Sequence, residues 1–211
     1  MPKIYANQAS KDTILEVGKL MLSSAITAPK AGGIGAIDGC IIYGEEELLT
    51  LAQKMEELST EQSGWKFFKD DARAVLEADA VVLLGPRGFQ EPVGGDCGLC
   101  GYTCDEFWKE TGKVKNTLYA GPYCGTRIFD LGFAIGSACK VASTFNVDNM
   151  PMFSVGTAAT RLRLLPQGGL IIGIPISITE KSPFHDRVPM STKELLLHTA
   201  RTFPMFRTQY G

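Results

Sequence analysis

A mixed domain of helices and strands built around one sheet, with a cysteine-rich segment set into it, is the architecture this sequence implies. Three observations carry this. Apolar residues recur at helical spacing in several stretches separated by turn signals. Ala80-Val81-Val82-Leu83-Leu84-Gly85 is a continuous apolar run, the pattern of a central strand covered on both faces. Cys97, Cys100 and Cys104 then crowd together and Cys124 follows, just where the helix–strand alternation breaks off. A chain of 211 residues, 45% of them apolar, suits a single domain over 1–211 with this segment, 86–124, inserted within it.

The elements follow in order. Ser10 is placed to cap a helix over residues 11–27, with Ile14, Val17, Met21, Leu22 and Ala25 on its buried face. Ala28-Pro29-Lys30-Ala31-Gly32-Gly33-Ile34-Gly35 ends it. This loop reads either as a helix stop and turn or as backbone amides and a cation cradling a phosphate or flavin edge. It is not a Walker or dinucleotide glycine pattern. A strand is expected over 36–43 and a helix over 44–59. That helix turns Leu48, Leu51, Ala52, Met55 and Leu58 inward and has three glutamates, Glu45 to Glu47, in its first turn. A short helix over 70–78 leads into the central strand.

Beyond the cysteines, residues 126–146 form a long helix with apolar side chains on more than one face, which calls for burial. Gly132 and Gly136 in it permit close approach of another helix. A short strand is expected over 150–155, a helix over 156–165 and a strand over 169–178, with Pro175 marking its edge or end. Ser182 to Arg187 form a polar loop. Ser191-Thr192-Lys193-Glu194 is a capping box for a last helix over 192–202.

Composition narrows the function. Basic and acidic residues balance, 21 against 23, which excludes bulk attraction to nucleic acid. No signal-peptide pattern opens the chain and no apolar run is long enough to span a bilayer, so a cytoplasmic setting is expected. There, the six cysteines serve as metal or redox groups rather than disulfides.

Cys97 and Cys100 can grip one metal centre, and Gly98 and Gly101 let the backbone wrap it. Cys104 opens a helical turn, and a turn at Ala120-Gly121-Pro122 returns Cys124 to the same place. Four thiolates of this kind hold a cubane iron–sulfur cluster or a tetrahedral zinc. Cys40 and Cys139 sit on apolar elements, where burying a thiolate is costly, and read as packing residues. His185 reads as a structural loop residue and His198 as a surface or packing residue of the last helix.

Two resemblances cover most of the chain. The Cys97-x2-Cys100-Gly101-x2-Cys104 pattern with Cys124 resembles the small 4Fe–4S domain of electron-transport and corrinoid iron–sulfur proteins. That domain usually has four residues between its second and third cysteines, and this chain has three. The remainder resembles the nitroreductase fold. The similarity lies in Ile14 to Val17, the Ala28-Pro29-Lys30-Ala31-Gly32-Gly33 loop, Asp130-Leu131-Gly132-Phe133-Ala134 and Gly173-Ile174-Pro175. Together the two halves resemble the ferredoxin-domain family DUF2148.

The resemblance implies an α+β fold, a nitroreductase-like sheet flanked by helices, and a domain-exchanged homodimer with FMN at the subunit interface. Lys30, Gly32, Gly33, Lys181 and Arg187 would hold that flavin. Residues 1–14 lack the arginines that open nitroreductases, and Gly33 replaces the asparagine after their alanine–proline pair. Three functions are compatible with these features. One is an oxidoreductase coupling a 4Fe–4S cluster to FMN, with a redox partner protein or a small-molecule substrate. Another is a non-enzymatic cluster protein on a flavin-free scaffold, and the third is a structural zinc site.

Overall fold

Strand β2 (Ala80–Pro86) is the centre of the architecture, and all seven of its residues are buried. β1 (Ile37–Tyr43) pairs with it on one side and β4 (Ile172–Ser177) on the other, and the two-residue β3 (Asp148–Asn149) lies outside β4. Every pairing is antiparallel. The computed structural model describes residues 1–35, 37–87, 92–113, 116–166 and 169–185. The last helix expected over 192–202, with His198, and the loop positions Asp186 and Arg187 lie outside the described residues, as does Ala36 at the start of the first expected strand.

Side-chain alternation along β2 explains its apolar run. Val81 and Leu83 point into a core shared with α2 (Glu45–Leu58), α3 (Phe68–Leu76) and α6 (Phe153–Arg161). Ala80, Val82 and Leu84 point into a second core, shared with α1 (Ala6–Thr27) and α5 (Gly125–Thr144). Successive strand residues face opposite sides, so a strand sandwiched between two helical layers must be apolar throughout. This is the α+β arrangement expected, with helices on both faces of one sheet.

The inward faces of α1 and α2 match their periodicity. Leu48, Leu51, Ala52, Met55 and Leu58 are all buried, as are Ile14, Val17, Met21 and Ala25, while Leu22 is half-buried. The start of α1 differs from the expectation. The helix begins at Ala6, and Ser10 lies inside it with its hydroxyl donating to the Ala6 carbonyl at 2.9 Å. No glycine or proline interrupts residues 6–10, so extending the helix by a turn costs little.

Three more expectations are corrected. Residues 150–155 do not form a strand. Met152 makes one bridge to Gly173 and α6 starts at Phe153. Packing decides this: a Cβ on Gly156 would collide with the Ile171 carbonyl, so α6 lies directly on β4 and overrides strand propensity. Pro175 is not at a strand end but inside β4, opposite Val81. Its carbonyl accepts from the Met150 amide at 3.3 Å. The amide and carbonyl of one strand residue point the same way, so its missing N–H faces the side where the short β3 has already ended.

Finally, α5 is not buried all round. Ile128, Phe129 and Phe133 remain 47%, 58% and 54% exposed, because the sheet and α1 cover one side of it only. No helix among the described residues is long and apolar enough to cross a membrane.

Candidate metal centre

The cysteine loop is shaped by local conformations that glycine makes accessible. Gly98 and Gly101 adopt φ values of 71° and 85°, in the left-handed region that disfavours a Cβ. A tight turn encloses Leu99 and Cys100, closed by the Gly101 amide donating to the Gly98 carbonyl at 2.9 Å. Asp96, at φ 45°, ties the ends of the loop together, since its carboxylate accepts from the Cys104 amide at 2.7 Å. Cys104 is the first residue of α4 (Cys104–Glu110), which Thr103 and Glu106 start with a reciprocal capping box.

The loop rests on the first turn of α5. A Cβ on Gly125 would stand 2.6 Å from Leu99 Cβ and 3.1 Å from its carbonyl carbon, so only glycine allows this approach. Cys97 Sγ lies 3.5 Å from Thr126 Oγ1. Cys124 is the N-cap of α5 and is buried, at 4% exposure. The chain returns to this point through two tyrosine latches. Tyr119 Oη donates to the Ile171 carbonyl at 2.6 Å and Tyr123 Oη to the Gly169 carbonyl at 2.8 Å. Burial pushes both phenols well above their ordinary range, which keeps them protonated donors.

Three of the thiols are set apart by their environment. The Leu99 amide and then the Thr126 hydroxyl hold the exposed Cys97 below the usual thiol range. Burial, with Asp38 nearby, raises Cys40, and burial pushes Cys139 up to about 11. Thiolate is the ligand form, so Cys97 suits metal binding and Cys40 and Cys139 do not. Cys100 Sγ donates to the Tyr102 carbonyl at 3.6 Å, a bond that ligation would replace. Among the described residues, no three His, Cys, Asp or Glu side chains converge as a site for a metal ion. Leu99 of the loop docks on Gly125, next to Cys124, but Cys97, Cys100, Cys104 and Cys124 are not gathered into one metal site.

The residues expected to hold a flavin are arranged differently. Lys30 Nζ already donates to the carbonyls of Ala25, Ile26 and Ala28 at 3.1, 2.6 and 2.7 Å, capping the end of α1. The Ala31 amide donates to Asp130 at 2.8 Å and the Gly33 amide to the Lys30 carbonyl at 3.0 Å. Asp130 is buried and paired at 3.5 Å with the equally buried Arg127. The Ala31 amide is therefore already taken by a carboxylate.

Lys181 follows β4 at the end of the sheet marked by Asp79, whose carboxylate accepts from the Ile178 amide. The glycine loop enters at the other end, where Ile37 pairs with Pro86. The length of β2 separates them, about 20 Å at about 3.4 Å per residue. His185 is exposed, with Nε2 3.3 Å from the Asn149 carbonyl. The sequence alone does not reveal the roles of Gly125, Thr126, Asp96 and the Arg127–Asp130 pair. Only the Thr103-x-x-Glu106 spacing carries a readable signal.

The family described as "uncharacterized protein containing a ferredoxin domain", DUF2148, matches residues 120–187. An uncharacterized protein from Archaeoglobus fulgidus is 39% identical over 188 residues, covering 89% of this chain and 96% of that one. The chain belongs to the DUF2148 family. The family match includes Cys124, α5 and β4 but begins after the Cys97–Cys104 loop. Solved structures place this DUF2148 chain on the nitroreductase-like fold. A nitroreductase-like protein from Bacillus cereus aligns over 92% of this chain and 97% of its own, at 11% identity and TM-score 0.51. A nitroreductase with bound FMN from Desulfitobacterium hafniense aligns over 84% of each chain, at 16% identity and TM-score 0.50.

Proposed function

We propose that this chain is an iron–sulfur redox protein, with Cys97, Cys100, Cys104 and Cys124 holding a 4Fe–4S cluster at the start of α5. The observation that carries the reading is the seating of Leu99 on Gly125, which sets the cysteine loop against the helix turn that Cys124 caps. The ferredoxin-domain family supports it. Such a cluster supplies one-electron transfer. The chain's own residues stabilise the thiolates: the Leu99 amide and Thr126 hydroxyl act on Cys97, and Asp96 holds the loop closed.

A second reading couples this centre to FMN. It is supported by the FMN-bound neighbour on the same fold. Lys30, Gly32 and Gly33 stand at one end of the sheet and Lys181 at the other, so a site using both needs two copies of the chain. The exposed α5 stripe of Phe129 and Phe133 supports such a homodimer, whose electron partner is a protein or small molecule. The glycine loop would have to exchange its internal bonds for those to the phosphate.

Anaerobic purification with iron and sulfide analysis and a visible spectrum tests both readings. About four irons and four sulfides per chain, with one broad visible shoulder, are expected for the cluster. Two resolved flavin bands in addition would establish the second reading. Stoichiometric zinc without iron or sulfide would overturn the first.

A further inference from the structure

Two glycines in the middle of α5 have no use within the described chain. Glycine in a helix interior costs stability relative to alanine. Gly156 and Gly125 offset that cost by close contacts, which a Cβ would break. Gly132 and Gly136 do not: a Cβ at either would meet nothing within 4 Å, and neither has a left-handed backbone. Both are exposed, on the side of α5 opposite Leu131, Ala134 and Ala138, which pack into the core with α1 and the sheet. Ile128, Phe129 and Phe133, each about half exposed, share that outer side. It carries no charge from Ile128 to Gly136, because Asp130 is the one ionised residue of this stretch and is buried.

We propose that this stripe seats α5 of a second copy of the chain, the two helices crossing antiparallel about a two-fold axis between Gly132 and Phe133. The spacing is self-complementary. Phe129 and Phe133 stand four residues apart, and so do Gly132 and Gly136, so each pair forms a row along the helix. In an antiparallel crossing centred there, Phe129 faces the partner subunit's Gly136 and Phe133 faces the partner subunit's Gly132. Two-fold symmetry repeats both contacts. A bare glycine accepts each ring and lets the two helices approach closely, as interlocking ridges and grooves require. At about 150–250 Å² for an aromatic side chain, the two half-exposed rings bury about 200 Å² per copy and about 400 Å² together. That is a large share of the roughly 1,000 Å² a specific interface needs, before Ile128 and the glycine backbone are added. A pattern that fits itself in one register, with no charge to desolvate, favours a second copy over a different protein. The inference rests on the homodimer invoked in the second reading above and gives it a geometry; it needs neither flavin nor metal.

The experiment is sedimentation velocity of the full chain across the micromolar range, on the wild type, Gly132→Gln and Gly136→Gln, with far-UV circular dichroism to check folding. Glutamine is a better helix former than glycine, and each position is open within the chain, so the helical signal is expected to hold. The wild type is expected to dimerise reversibly. Each Gln variant intrudes twice on a two-fold dimer, at about tenfold per intrusion, so dimerisation should weaken about 100-fold. Gly132→Ala and Gly136→Ala make a smaller intrusion, expected to weaken it about tenfold, and they decide the matter if the Gln variants misfold. Folded variants that dimerise as tightly as a dimeric wild type overturn the proposal, because the copies then meet through another face. A wild type that stays a folded monomer refutes the proposal and the homodimer together. A dimeric wild type without flavin bands, sensitive to both glycines, supports the proposal and refutes only the coupling to FMN.

Discussion

Gly125→Ala separates the cysteine loop from its platform while leaving the core in place. The added carbon would stand 2.6 Å from Leu99 Cβ, 3.1 Å from its carbonyl carbon and 3.2 Å from its oxygen. Carbon atoms rest at about 3.5–4.0 Å, so Leu99 must retreat by about 1 Å. Cys97, two residues away, then leaves the reach of Thr126. Lost packing of Leu99 costs about 1 kcal/mol, and residual strain about 1 kcal/mol more. The sum, about 2 kcal/mol, weakens cluster retention about 30-fold. The loop is exposed and free to yield, and alanine favours the helix over glycine by about 0.5–1 kcal/mol, so global stability is expected to hold. The assay is iron release to a chelator under anaerobic conditions, with thermal unfolding followed by circular dichroism. Iron release as slow as in the wild type would refute the packing argument. A large fall in Tm would show that the strain enters the core instead.

Serine at Cys97, Cys100, Cys104 or Cys124 is expected to lower iron and cluster absorbance severely, whereas Cys40→Ser and Cys139→Ser should leave the iron-to-sulfide ratio intact; elemental analysis decides. Phe133→Lys, on the exposed stripe of α5, is expected to convert a homodimer to monomer in sedimentation at micromolar concentration, and a wild type that is already a stable monomer would refute the dimer. Asp130→Asn keeps an acceptor for the Ala31 amide but leaves the buried Arg127 charge unpaired, at a cost of about 3 kcal/mol. At about 2–4 °C per kcal/mol for a chain of this size, Tm should fall by about 6–12 °C. A melt within about 2 °C, the scale of a surface change, would show the pair to be dispensable.

Periodicity and spacing settle the helix faces and the central strand before any fold is known. The helical spacing of Leu48, Leu51, Ala52, Met55 and Leu58 requires one buried side whatever lies against it. The unbroken run in β2 requires cover on both faces. Cysteine spacing likewise defines a local loop, because Cys97, Cys100 and Cys104 are held by turns a few residues long. Contacts between segments distant in the chain came from packing instead. The start of α6 follows from the need of Gly156 to lie on β4, and the tolerance of Pro175 follows from where β3 stops. Nothing near Lys30 in sequence indicates that its ammonium would cap α1, or that Asp130, 99 residues beyond Ala31, would take the amide a phosphate would need. The seat of Leu99 on Gly125 is equally invisible in sequence. Such contacts depend on the angle at which α5 meets the loop, which is set by the packing of α5 against α1 and the sheet.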